Sequence, residues 1–198
     1  MSSNFKLPKL QTAVTAIALV LASAAMVGCT TTGPSDRTAP VASSAAIDAD
    51  VMASLAKLYD TVPGSRQLVS QAKGVLVFPS VLSASLGIGA QYGRGSLRVG
   101  NRTDGYYSTT AGSIGWQAGA QSKAVVYLFM TQDSLDKFRN SSGWTAGVDA
   151  TVALANIGAN GNIDTKTVQQ PVVGFVMTNV GLAAGVSVQG SKISRISM

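Results

Sequence analysis

The sequence of 198 residues has no histidine, no glutamate and a single cysteine, Cys29. The missing histidine removes the commonest general base and the commonest neutral metal ligand. It also makes a Ser-His-Asp arrangement impossible. One cysteine allows no disulfide within the chain, so the fold must be held by its core alone. All nine acidic residues are aspartates, scattered without a spaced calcium-type loop, so no metal and no other cofactor is expected. The glycines of Gly87-x-Gly89 and Gly93-x-Gly95 do not fit G-x-G-x-x-G, and no Gly-Lys-Ser/Thr follows them. Close strand packing accounts for them better. A Ser-Lys pair using Lys73 or Lys123 is the one nucleophilic arrangement left open, but nothing presents its serine on a sharp turn. No enzyme is expected.

What is present begins at the N-terminus. Lys6 and Lys9 precede an uncharged, Ala/Val/Leu/Ile-rich run from Gln11 to Val27, which ends at Met26-Val27-Gly28-Cys29. A basic start, a short apolar core and small residues at a cleavage point describe a secretory signal over residues 1–28. The run is shorter than the ~20 residues that span a bilayer comfortably, which argues against a transmembrane anchor. Gly28-Cys29 resembles the lipobox of bacterial lipoproteins, with Met26 standing where Leu is more usual. That resemblance implies lipidation at Cys29. Residue Thr30, with no Asp there, matches the outer-membrane sorting pattern and implies an outer-membrane anchor facing the periplasm.

Residues 29–46 are rich in Ser, Thr, Ala and Pro without apolar periodicity, and read as a flexible tether. Residues 47–198 then suffice for one compact domain. The 15 Lys and Arg exceed the nine Asp, and the excess survives loss of Lys6 and Lys9. A mild basic balance suits anionic lipid head groups or nucleic acid. Export disfavours nucleic acid.

Val51, Leu55, Leu58, Tyr59 and Val62 recur at steps of three and four, predicting a helix capped by Asp48 or Asp50 and ended by Pro63-Gly64. A second short helix is expected from Ser65 to Ala72. Strands are expected at 74–78, 86–99, 106–107, 113–120 and 124–130, with Asp104-Gly105 favouring a hairpin turn. Thr131 caps a helix to Asn140 with Leu135 and Phe138 on one face. Alternation predicts a strand from Trp144 to Ala155, and further strands over 172–178 and 182–193. The expected fold class is α+β: a strand-rich twisted antiparallel sheet or partly closed barrel, with an N-terminal helical segment and one inserted helix.

Several segments carry a resemblance in the same order. They are Ala72-Lys73-Gly74-Val75-Leu76-Val77-Phe78-Pro79, then Gly89 to Gly95, Gly112 to Gln121, Val126 to Phe138, and Gly181 to Ser191. Together they resemble the SYLF domain, also called the Ysc84 actin-binding domain, over roughly Val51 to Ile193. Gln189 and Ala111 depart from the family's usual Glu and Gly. The resemblance implies a lipid-binding module, some of whose eukaryotic members bind actin. Actin is not expected in a bacterial envelope.

Arg94, Arg98 and Arg102 follow a period of four across the expected strand and turn, with Lys73 at the mouth of the first strand. Even spacing puts strand residues on one face. The four are candidate contacts for anionic phospholipid, since guanidinium offers a planar fork of donors to phosphate. The plainer reading is a solvated outer face. A structural lipoprotein is the alternative function. It would bind an envelope protein through a sheet edge or through exposed Tyr106, Tyr107 and Trp144.

Overall fold

The computed structural model describes residues 43–156, 163–164, 167, 169–183 and 185–198, without the side chains of 85–88 and 113–120. The proposed signal, Cys29 and most of the tether lie outside the described residues.

Helix α1 spans Ser44–Thr61 and α2 spans Ser65–Gln71. The α1 periodicity buries Ile47, Val51, Leu55 and Leu58. Its cap is Ser43, whose hydroxyl accepts from the Ala46 N–H at 3.2 Å. The expected caps are therefore corrected: Asp48 lies inside the helix, and Asp50 is exposed on it. The helix begins three residues before Ile47, where the domain was expected to start.

Two long strands follow, β1 (Gly74–Val99) and β2 (Arg102–Phe129). They pair antiparallel from Gly74↔Phe129 to Val99↔Arg102, with irregular register at Phe78/Val81, Ser85/Gly87 and Leu97/Arg98. Pro79 sits inside β1 because it falls at the first irregularity, and among the described residues β1 pairs on one side only, so no ladder bond is lost there. The turn is Gly100-Asn101, with Gly100 in the left-handed region at φ 59°. Asp104-Gly105, expected as the turn, instead forms the bulge opposite Leu97 and Arg98.

Helix α3 (Gln132–Asn140) is capped by Thr131, as expected, and buries Leu135 and Phe138. Then come β3 (Trp144–Thr145), β4 (Ala153–Leu154), β5 (Val172–Thr178), β6 (Gly181–Leu182) and β7 (Lys192–Ile196). The strand expected over 144–155 is thus only its two ends. Gly147, at φ 84°, turns the chain between them and leaves Val148 79% exposed. The one expected over 182–193 is likewise reduced to short pieces.

The sheet order is β3-β7-β2-β5-β4, with β1 on β2 and β6 on β5. β4 runs parallel to β5, so the sheet is mixed rather than wholly antiparallel. It curls into a half-barrel, and the α+β expectation holds. The curl returns β1 onto itself: a Cβ at Gly95 would overlap the Val77 carbonyl oxygen, so only glycine permits this approach. The sheet has two buried faces. One packs Val75, Val77, Val126, Leu128 and Phe175 under α1. The other packs Phe78, Tyr127, Phe129 and Trp144 against Phe138 of α3. Among the described residues, no helix is long and apolar enough to cross a membrane.

Candidate functional site

The first carboxylate of α1 organises the hairpin. Asp48 Oδ1 accepts from Ser96 Oγ and Thr103 Oγ1, both at 3.0 Å, and Oδ2 accepts from Tyr106 OH at 2.8 Å. Thr103 and Tyr106 are an odd number apart on β2 and would face opposite ways in a regular strand. The Asp104-Gly105 bulge supplies the extra residue that brings both to Asp48. Burial raises the Tyr106 pKa, and the neighbouring Asp48 carboxylate adds to the rise.

This anchorage opens a groove between α1, α2 and the hairpin turn. Its volume is about 410 Å³. Met52, Leu55, Val69 and Val75 give it an apolar floor, and among the described residues Arg66 and Arg98 are its only charged lining residues. The Arg66 guanidinium lies 4.3 Å from the Tyr59 ring centroid, a cation–π contact that fixes the cation without neutralising it. Arg98 Nη2 donates to the Asn101 carbonyl at 3.2 Å, which also leaves its charge intact. Among the described residues, ion pairs join Lys137 to Asp133 and Arg139 to Asp104, and neither groove arginine is paired.

The expected basic stripe is only partly assembled. Arg94 and Arg98 flank Ser96 at even spacing, so both share the α1 side of β1. Arg94 Nε donates to Tyr92 OH at 2.8 Å, outside the groove. Arg102 pairs with Val99, whose side chain packs with the α3-side core, so the register puts Arg102 on the opposite face. Lys73 is exposed beside Ala72 of the groove wall, and its N–H donates to the Phe129 carbonyl. Arg66 was missed in sequence, because no periodic signal crosses Pro63-Gly64 to link it to Tyr59 or Arg98.

Two other expectations change. Trp144 and Tyr107 are not exposed docking aromatics: they are 2% and 4% exposed, packed around Phe138, and Tyr106 is half-buried against Asp48. Lys123 lines a cavity that also includes Ser191, but the space is about 10 Å³, too small for a substrate. Burial lowers the Lys123 pKa. Among the described residues, no cluster of carboxylates or other ligands fits a metal ion.

The described residues form an α+β half-barrel that carries a cationic, apolar-floored groove. Residues 110–197 match the family model of Ysc84, described as Las17-binding protein actin regulator. This shows the SYLF (Ysc84) domain resemblance over the stretch from the middle of β2 through β7. No curated protein matches the chain. The groove, formed by residues between Met52 and Asn101, lies N-terminal to the matched segment.

Proposed function

We propose that the chain is a lipid-anchored envelope lipoprotein whose folded domain binds anionic phospholipid without catalysis. The reading rests on one observation: Arg66 and Arg98, unpaired with any described acid, stand over an apolar floor with no acid among the described lining residues. A phosphate head group takes donors from such a pair, and the glycerol and upper acyl atoms cover the apolar floor. The lipobox-like Gly28-Cys29 supports attachment through acyl chains at Cys29, with the outer membrane as the site and the periplasm as the facing compartment. Several acyl chains hold stably where one holds weakly. Lys73 and Arg94 add charge on the flanks, whereas Arg102 is directed elsewhere. Actin, named in the family description, is not a partner an exported chain meets.

The test is co-sedimentation of the full chain with phosphatidylglycerol-containing vesicles and with phosphatidylcholine vesicles, at low and high salt. Attachment through the N-terminal apolar run contributes to both, so the difference between them is the readout. A salt-sensitive excess on the anionic vesicles is expected, reduced roughly fivefold per charge in Arg66→Ala with Arg98→Ala. Equal binding to both vesicles, unchanged by the double substitution, would remove the groove from lipid recognition. That result would favour a protein partner at the β1 edge, which among the described residues pairs only with β2.

A further inference from the structure

The two long strands are not supported equally along their length. β2 pairs with β7 over Tyr106–Thr110 and with β5 over Ala124–Phe129. Between these, from Ala111 to Lys123, its only strand neighbour among the described residues is β1, and β1 pairs with nothing else. The ends of this two-stranded segment meet. Val81, Gln91, Ala111 and Lys123 line one small cavity, and a Cβ at Gly93 would press on the backbone of Ser80 and Val81. A ribbon whose two ends are in contact must bend out and back, so residues 82–90 with 112–122 form an arch standing away from the packed body.

The arch has an unusual composition for a projecting element. From Gly74 to Gly93 and from Gly105 to Ser122 the chain carries no charge; these runs are bounded by Lys73, Arg94, Asp104 and Lys123, of which Arg94 and Lys123 are nearest the arch. Burial alternates along β1 at both ends of the arch. Val81, Gly89 and Gly93 are buried, while Leu82, Ala84, Ala90 and Tyr92 are exposed, Leu82 at 60% and Tyr92 at 45%. An exposed strand face is ordinarily the polar one. A projecting, charge-free, apolar face with an arginine at its base complements the interface of an anionic bilayer.

We propose that this arch is a membrane-docking wedge that settles into the interfacial zone of an anionic bilayer, with Arg94 at its base facing head-group phosphates. The proposal rests on the phospholipid reading above and adds the element that enters the membrane. Its depth is limited by its own backbone. Free strand edges retain unpaired N–H and C=O groups, which hydrocarbon does not satisfy but hydrated head groups do. Tyr92, and Trp116 placed in the arch by sequence, belong to the residue types that favour this zone.

The chain has two tryptophans, Trp116 in the arch and Trp144 in the core, which makes emission a local probe. The full chain is mixed with phosphatidylglycerol-containing vesicles whose acyl chains carry bromine either near the head group or near the chain end. Shallow bromine is expected to quench strongly and deep bromine weakly, and Trp116→Phe is expected to abolish the quenching. Leu82→Glu with Ala90→Glu, both at exposed positions that spare the fold, is expected to suppress quenching and weaken binding roughly fivefold or more. Binding that retains its Arg66 and Arg98 dependence without Trp116 quenching overturns the wedge alone. Stronger quenching by deep than by shallow bromine also overturns it. Shielding of Trp116 by self-association without lipid overturns it in favour of edge pairing between copies. Absence of anionic-vesicle binding overturns both the wedge and the groove.

Discussion

The two faces of the curled sheet are built differently. The α3 side is closed by rings: Phe138 lies 4.7 Å from Phe129, 4.9 Å from Tyr107 and 5.7 Å from Trp144, centroid to centroid. The α1 side is covered mainly by aliphatic side chains of α1, joined by Leu68 of α2, and α1 is fastened at its N-terminal part by a carboxylate and three hydroxyls. Aromatic packing seals a surface and leaves little room for a ligand. One helix laid across a curled sheet leaves its flanks open, and the groove with Arg66 and Arg98 lies along such a flank. Close aromatic packing and an open groove thus fall on opposite faces.

The largest effect is expected on the sealed face. Phe138→Ala removes the ring common to three aromatic contacts and should cost about 3–5 kcal/mol of unfolding free energy, read from urea denaturation. Retention of full stability would mean that α3 is not part of the cooperative core. A smaller loss is expected on the fastened face. Asp48→Ala leaves Ser96, Thr103 and Tyr106 without their acceptor and should cost about 2–3 kcal/mol, with Asp48→Asn recovering part of it. The sharper readout is the groove, because loosening α1 should also lower the anionic-vesicle excess. If Asp48→Ala lowered stability and left that excess unchanged, the groove would not depend on the helix that walls it.

The same contrast governs how much was legible in the sequence. α1 and α3 were readable because their apolar spacing is local and each buries one stripe. The α+β class followed from the strand-rich middle. The hairpin turn was misplaced because Asp104-Gly105 and Gly100-Asn101 are both residues that leave a ladder. Local composition does not say which one reverses the chain and which one bulges. That displacement carried the site with it: the bulge decides that Thr103 reaches Asp48 and that Arg102 lies across the sheet from Arg98. In sequence Asp48 reads as a cap, because capping is what aspartate near a helix start does most often. Its actual partners are about fifty residues away and meet it only through the fold. Arg66 joins Arg98 for the same non-local reason. The curling of β1 onto itself at Gly95 leaves no periodic trace, and it is what brings Val75 and Arg98 to one groove.

The smallest effect expected has the opposite sign and sits where the α3-side face meets the arch. Lys123 is half-buried beside Val81, Val125 and Phe78, and this burial disfavours its charged form and lowers its pKa below 10.5. In the unfolded chain the ammonium is fully hydrated. Between the lowered folded value and 10.5 the unfolded state binds more protons, so this group's contribution to stability rises with pH across that window. Below the window the burial penalty is present in full, and at its top it has been relieved. Lys123→Met, which keeps the apolar stem and removes the charge, should therefore stabilise the protein at pH 7 by about 0.5 kcal/mol, since partial solvent contact tempers the penalty. The gain should shrink as pH approaches 10.5. Taking variant minus parent at each pH cancels the tyrosines that titrate nearby. A gain that is absent at pH 7, or that grows with pH, would show that the Lys123 ammonium is favourably solvated or paired. The arch base would then be open to water rather than sealed.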